Sequence, residues 1–527
     1  MISVVAFGLC FSLGACLDPK PDPTQSPDAS EQDVFVAATA QDIHLVASQA
    51  SRARTPVLVG AAGQMLAIVE APRRGTANIE ADGSIGYEAP ANYNGYERLR
   101  YRVTDARGGE AEAVLHITIY EVAEAGAPMV VLPRIGIEAW EVAVIVNSND
   151  ATSVAIGEYY LEKRQIPAKN LIRVALPTDQ NVLSPEDFAP IYDQVLAASD
   201  DAIQAFALAW LRPYRVGCMS ITSAFALGGY ADRYCNTSDQ GCSETAAVGY
   251  FRSQSTRPFD DFALRPTMML AGTSEEHARD LIDRGVAADH TFPQAEGYMV
   301  RTSDEARSVR WPDMLSIANR WSSDSGLKLN YINNADGSGE NLITDKSDVM
   351  FYFTGLVTVA GIETNTYLPG AVADHLTSFG GDLMGAGQMS ILRWLEAGAT
   401  ASYGTVVEPC NYPTKFAELS TFFEHYYRGQ SVVEAYWKSV HWPGEGVFVG
   451  EPLAKPWGRY HLRFEGNTLI IETTSLKPSG EYEVAAADAV GGPGEPVFKE
   501  VVARNVGPST IVIEAATAPV YTLRLVP

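Results

Sequence analysis

Trp140-Glu-Val-Ala-Val-Ile-Val146 runs straight into Asn147-Ser-Asn-Asp150, and Ser153 to Gln165 then carries apolar residues at helical spacing up to Pro167. An unbroken apolar run closed by N-capping residues and followed by a helix is the opening of a βα unit buried on both faces. Leu171-Ile-Arg-Val-Ala-Leu176 supplies the next strand, and the alternation continues. Ala202 to Leu211, Thr267 to Gly272, Tyr298 to Arg301, Val349 to Phe353 and Thr400 to Val407 read as strands. Ser274 to Arg284 (Ser274 as cap, Glu275 and Glu276 at its positive end), Trp311 to Trp321 and Met389 to Ala397 read as helices. This predicts a central α/β domain with a mostly parallel sheet over residues 139–455. Ligands of such folds sit beyond the carboxyl ends of the strands.

On both sides of this domain the period changes. Residues 33–122 alternate apolar and polar positions, as in Asp42-Ile-His-Leu-Val-Ala and Val114-Leu-His-Ile-Thr-Ile-Tyr. Turn residues separate the runs, and Asp82-Gly83 reads as a hairpin turn. This predicts an N-terminal β-sandwich, with Tyr87 and Tyr101 as cross-strand or core aromatics. Residues 456–527 return to short strands such as Thr468-Leu-Ile-Ile-Glu-Thr, broken at Lys477-Pro-Ser-Gly and Gly491-Gly-Pro-Gly, and predict a small C-terminal β-sandwich. The chain is thus multi-domain, as its 527 residues also require.

The 46% hydrophobic and 20% charged content is that of a folded globular chain. A net charge of −25 repels phosphate backbones, which argues against a nucleic-acid partner, and repels anionic head groups, so membrane attachment has to come from an anchor. The first fifteen residues, MISVVAFGLCFSLGA, are uncharged and too short to cross a bilayer, but have the length of the apolar core of a signal peptide. Residues 17–32, rich in Pro, Asp and Ser, cannot bury enough surface to fold and read as a tether.

Leu13-Gly14-Ala15-Cys16 resembles the lipobox of bacterial lipoproteins, which implies a signal peptide over 1–15 and acylation of Cys16. A buried N-terminal strand with a chance cysteine is the alternative. There is no Lys or Arg ahead of the apolar run, a departure from the usual signal. The protein is therefore expected to be exported and lipid-anchored to the cell envelope, on the outer membrane if the cell is Gram-negative. Gly75-Thr-Ala-Asn-Ile, Asp82-Gly-Ser-Ile-Gly-Tyr87, Pro90-Ala-Asn-Tyr-Asn-Gly95 and Leu99-Arg-Tyr-Arg-Val-Thr-Asp105 resemble the cadherin-like and immunoglobulin-like repeats of bacterial surface proteins. The resemblance implies calcium as a possible cofactor at Asp105, a residue that also reads as a turn aspartate capping its own backbone. No other cofactor is expected.

The central domain resembles an uncharacterised family of secreted bacterial proteins with a caspase/gingipain-like fold. The residues that carry this are Trp210-Leu-Arg-Pro-Tyr-Arg-Val-Gly-Cys218, Phe225-Ala-Leu-Gly-Gly-Tyr, Thr377-Ser-Phe-Gly-Gly381, Gly398 to Cys410 and Phe448-Val-Gly-Glu-Pro-Leu453. In gingipain-like peptidases one strand ends in His-Gly and a later one in the nucleophilic cysteine. Here those positions read Thr354-Gly355 and Thr377 or Ser378. A serine hydroxyl without a placed base is a poor nucleophile, so the resemblance implies loss of that activity.

Four other residues fall near the ends of late strands: His375, Ser378, Glu408 and Cys410. His375 could act as base to Ser378 with Glu408 orienting it, although residues three apart on a strand face opposite ways. The alternatives are a hydrogen-bonded, partly buried histidine and a structural Glu408-Pro-Cys410 loop. Arg307 and Arg310 would share a helical face and could clamp a carboxylate, or they pair internally with Asp304 or Asp313. Beside Cys16 and Cys10 the chain has Cys218, Cys235, Cys242 and Cys410. After export these should be oxidised. The polar turn between Cys235 and Cys242 suggests that these two pair, leaving Cys218 for Cys410. Zinc is the rival, but no histidine stands at ligand spacing, and no metal site is expected.

The reading that follows is an envelope-anchored binding or scaffolding protein, leaning away from enzyme, with a protein or glycan partner at the cell surface. A peptidase or other hydrolase built on His375, Ser378 and Cys410, or a carbohydrate-binding protein using exposed aromatic side chains, are the alternatives.

Overall fold

The computed structural model of the protein describes residues 37–41, 43–57, 64–72, 74–91, 95–120, 128–236, 242–321, 325–385, 387–488, 494–502 and 507–526. Cys16, the tether 17–32 and the turn residues 92–94 lie outside the described residues.

The N-terminal alternation folds as an immunoglobulin-like β-sandwich. One sheet orders Ile43–Ser48, Glu110–Tyr120, Gly95–Thr104 and Met65–Glu70, and the facing sheet orders Arg52–Pro56, Ser84–Glu88 and Thr76–Ile79. The period of two puts Ile85, Tyr87, Leu99, Tyr101, Leu115 and Ile117 into one core. Each tyrosine keeps its hydroxyl bonded, Tyr87 to the Arg74 carbonyl at 2.7 Å and Tyr101 to the Gln41 carbonyl at 2.5 Å. Gly83 takes a φ of 79° in the expected hairpin turn, a conformation a side chain would strain.

The central domain is built on ten strands: β1 (Val142–Asn147), β2 (Leu171–Val174), β3 (Ala205–Leu208), β4 (Thr267–Met269), β5 (Ala295–Arg301), β6 (Leu327–Asn333), β7 (Val349–Thr354), β8 (Tyr367–His375), β9 (Ala401–Thr405) and β10 (Gly446–Gly450). Their order across the sheet is β2-β1-β3-β4-β10-β9-β8-β7-β5-β6. Every pairing is parallel except β9 with β10. The sheet is therefore mixed, two parallel halves running in opposite directions. Two helices, α1 (Leu419–Tyr427) and α2 (Val432–Ser439), connect β9 to its antiparallel neighbour β10, and the chain also changes halves between β4 and β5, through the helix Glu275–Ala288. The carboxyl ends of the two halves consequently lie at opposite edges of the sheet.

Local signals position these elements. The side chain of Asp150 accepts from the Thr152 amide at 3.0 Å and caps the helix Ala151–Arg164. That helix rests directly on β1, since a Cβ on Gly157 would lie 2.2 Å from Val146 Cγ1. Ser274 caps Glu275–Ala288 as expected. The core fills with aromatic side chains from β7, α1 and the segment after β10, among them Phe351, Phe353, Phe422, Phe423, Tyr426 and Trp457.

Beyond the central domain, His461–Glu465, Thr468–Thr473 and Ser509–Ile513 form one small sheet. Glu495–Val501, Glu481–Ala487, Val520–Leu525 and Met129–Val131 form another. They share a core of Val130, Leu469, Ile471, Tyr482, Val484 and Leu523. Met129–Val131 belongs to the connection after the N-terminal sandwich, yet it pairs in parallel with Val520–Leu525 at the far end of the chain. Among the described residues no helix is long and apolar enough to cross a membrane.

Candidate functional site

In the half of the sheet formed by β5 to β9, the chain leaves β5 to one side for β6 and returns on the other for β7. The crevice between β5 and β7, at their carboxyl ends, is where open α/β sheets hold ligands. Here the loop Thr302–Arg310 fills it. The Thr302 hydroxyl donates to the Gly355 carbonyl at 2.7 Å, and a Cβ on Gly355 would fall 2.0 Å from the Arg307 carbonyl oxygen. Gly355 is therefore the residue that lets this loop lie on the strand end.

The loop is not helical, and its two arginines part company. Arg310 is buried and donates to Asp374 Oδ1 at 2.6 Å and to the Thr354 carbonyl at 3.0 Å. Burial pushes the Asp374 carboxyl up while the guanidinium and the Tyr436 hydroxyl pull it down. Of the two internal partners considered for these arginines, Asp304 or Asp313, Asp313 accepts the Ser420 amide at 3.1 Å. Arg307 points the other way, pairing with Asp304 at 2.8 Å and donating from Nε to Thr377 Oγ1 at 3.2 Å. The single face expected for these two residues fails because the backbone between them turns before the helix Trp311–Arg320 begins.

Arg307 opens onto a cleft of about 290 Å³, shared with Leu376, Ser378, Glu408, Asn411 and the cystine Cys242–Cys410. Ser378 and His375, both expected here, are separated. Thr354 and His375 face each other across β7 and β8, both fully buried. The indole of Trp394 donates to His375 Nδ1 at 3.0 Å, so the proton sits on Nε2, which donates to the Met389 carbonyl at 3.1 Å. Burial drives the imidazole pKa down to about 3. Glu408 does not orient it; its Oε1 accepts the Cys410 amide at 2.8 Å. The arrangement of His375 as base, Ser378 as nucleophile and Glu408 as orienter is therefore not assembled. Thr354 Oγ1 and Arg310 Nε and Nη1 are buried beneath the loop without hydrogen-bond partners. The polar contacts of the Ser378 strand end were not legible in advance: Gln388 accepts from Thr377 Oγ1 at 2.7 Å and from the Phe379 amide at 2.8 Å.

All four described cysteines are oxidised, but with exchanged partners: Cys218 pairs with Cys235 and Cys242 with Cys410, at Cα separations of 5.7 and 5.8 Å. The short turn Asp232–Tyr234 delivers Cys235 into the core beside Cys218, which leaves Cys242 outside to meet the loop after β9. Asp105 spends its carboxylate on the amides of Ala38, Arg107 and Gly109, at 2.9–3.0 Å, in the manner of a turn aspartate. These bonds hold its pKa low. Among the described residues, no group of three or more His, Cys, Asp or Glu is arranged to hold a metal ion. None of the eight tryptophans is exposed.

Residues 24–118 match the family model of the bacterial Ig domain. That domain docks on the central one through the ion pair Arg98–Asp200 and through Lys169, which reaches Glu70 at 3.2 Å and Asp200 at 3.3 Å. No curated protein matches the chain. Among solved structures, one named only as a protease is 10% identical and covers 76% of this chain and 98% of its own, with a TM-score of 0.35. CopC from Methylosinus trichosporium OB3b is 18% identical over 17% of this chain and 95% of its own, with a TM-score of 0.11. A 2,6-sialyltransferase from Photobacterium sp. JT-ISH-224 is 8% identical over 34% of this chain and 36% of its own, with a TM-score of 0.13.

Proposed function

We propose that this is an exported protein, held to the bacterial envelope by a lipid on Cys16, whose central domain is a gingipain-like module that binds rather than cleaves. The bacterial Ig domain and the two cystines support an oxidising, extracytoplasmic setting. One observation carries the non-catalytic reading. The imidazole nearest the cleft has both nitrogens committed to core partners, and the cysteine nearest it is tied in a cystine. A nucleophile and a base act as a unit, so a cleft with neither free holds a ligand without attacking it. Arg307, Ser378, Glu408 and Asn411 would supply the polar contacts. The partner would be a protein or a glycan at the cell surface, and no step requires a cofactor.

The test uses the full exported protein, a diverse peptide library and an electrophilic probe directed at thiols. The expected outcome is no turnover and no labelling. Turnover that disappears in Ser378→Ala or in Cys410→Ala would make the protein a hydrolase and overturn the reading.

A further inference from the structure

The two cystines differ in what surrounds them. Cys235 is 3% exposed and Cys218 half-buried, and the Tyr230 hydroxyl lies 3.3 Å from Cys218 Sγ and 4.0 Å from Cys235 Sγ, closing one approach. Cys242 is exposed and Cys410 half-buried, and both line the cleft. Cys410 also sits at a φ of 51°, in a loop whose side chains Glu408 and Asn411 face the same cavity. The sulfur–sulfur bond joins Cys242 to that loop across a sequence separation of 168.

We infer that Cys242–Cys410 is a thiol–disulfide exchange site, opened by a dithiol reductant that reaches the exposed Cys242 sulfur, while Cys218–Cys235 is a structural cystine. Access decides which sulfur is attacked. A thiolate of the dithiol attacks the exposed Cys242 sulfur, the Cys242–Cys410 bond breaks, and Cys410 leaves as a thiolate that takes a proton from water. The second thiol of the reductant then attacks its own sulfur in the mixed disulfide and releases Cys242 as a second thiolate, which is protonated in turn. The cystine gains two electrons and two protons, and the dithiol loses them and becomes a disulfide. Arg307, paired with Asp304, and Glu408 line the same cleft as Cys410. Opening removes the covalent tie between Cys242 and the Glu408–Asn411 rim. Exchange needs no ligand in the cleft. Only its effect on binding rests on the cleft being the ligand site.

The experiment titrates the native, full-length protein with a small dithiol. Exposed thiols are trapped with a light alkylating reagent, the protein is fully reduced, and the remaining cysteines take a heavy reagent before mass spectrometry. Cys242 and Cys410 should acquire the light label at least about tenfold faster than Cys218 and Cys235, as exchange rates follow access. Hydrogen exchange at residues 408–411 should rise in the same samples while β7 and β8 stay protected. Equal opening of the two pairs, earlier opening of Cys218–Cys235, or no opening short of denaturation each overturns the inference. A cleft that opens as described but whose ligand binding is indifferent to it would count against the binding reading alone.

Discussion

Trp394 and Met389 between them occupy both nitrogens of His375, and this settles what the side chain is for. A neutral imidazole buried at the end of a strand donates one hydrogen bond and accepts one, and protonation would bury a charge and set a second N–H against the Trp394 indole N–H. Its pKa of about 3 lies below the ordinary value of 6.5. The sign follows from proton counting. Between those two values the unfolded chain binds a proton that the folded chain refuses, so stability is full above pH 6.5 and is lost as pH falls toward 3. The loss runs at up to about 1.4 kcal/mol per pH unit. His375→Asn should destabilise the domain by about 2 kcal/mol at neutral pH, by leaving one buried partner unpaired. The gap between wild type and variant should narrow as the buffer is taken from about pH 7.5 to about pH 5, since only the wild type bears this linkage. Urea denaturation at several pH values reads it. A gap that stays constant would mean that the imidazole is not held neutral. His290 and His425, also lowered by burial, contribute equally to both proteins and cancel in the comparison.

Elements that carry a strong local signal were legible and those made by pairing at a distance were not. Val142–Asn147 announces itself by six apolar or capping residues in a row, and Asp150 and Ser274 cap the helices their sequence places after them. The bacterial Ig domain shows its period of two and its Asp82-Gly83 turn. The antiparallel pairing of β9 and β10 left no such trace, because strand direction depends on the path of the connection rather than on either strand's residues. The cystine partners were hidden for a similar reason: only six residues lie between Cys235 and Cys242 in sequence, but Cys235 is buried beside Cys218 while Cys242 is exposed. Met129–Val131 is the clearest case. Three apolar residues in a connection look like linker, and only the far end of the chain reveals the pairing. Val130 is 3% exposed in that core. Val130→Asp should therefore cost about 3 kcal/mol, the penalty of an unpaired buried carboxylate, and should loosen residues 460–526 rather than the bacterial Ig domain. Limited proteolysis followed by mass spectrometry distinguishes the two. First cuts within 43–120 would show that the strand belongs energetically to its sequence neighbour.

At the scale of the whole molecule the governing quantity is charge. With 64 acidic against 39 basic side chains, the surface is repelled by anionic head groups, and the repulsion is felt over a Debye length of about 8 Å at physiological salt. The basic side chains that do exist are largely spent internally, as Arg310 is on Asp374, Lys415 on Glu445 and Arg164 on Glu451. The net charge therefore argues against ionic attraction as the hold on a membrane. Under the proposed lipoprotein reading, attachment would rest on Cys16. A diacylglycerol contributes two acyl chains, and two chains are what stable anchoring requires, since one alone binds reversibly. Cys16→Ser should move the protein wholly from the membrane fraction to the soluble one at any ionic strength, and should abolish incorporation of a labelled fatty acid. The wild type should stay with the membrane through a high-salt wash, because no ionic contact holds it there. A Cys16→Ser protein that remains membrane-bound at low salt and washes off at high salt would show an ionic attachment that the charge count denies. One that takes up the fatty-acid label as the wild type does would move the anchor to another residue.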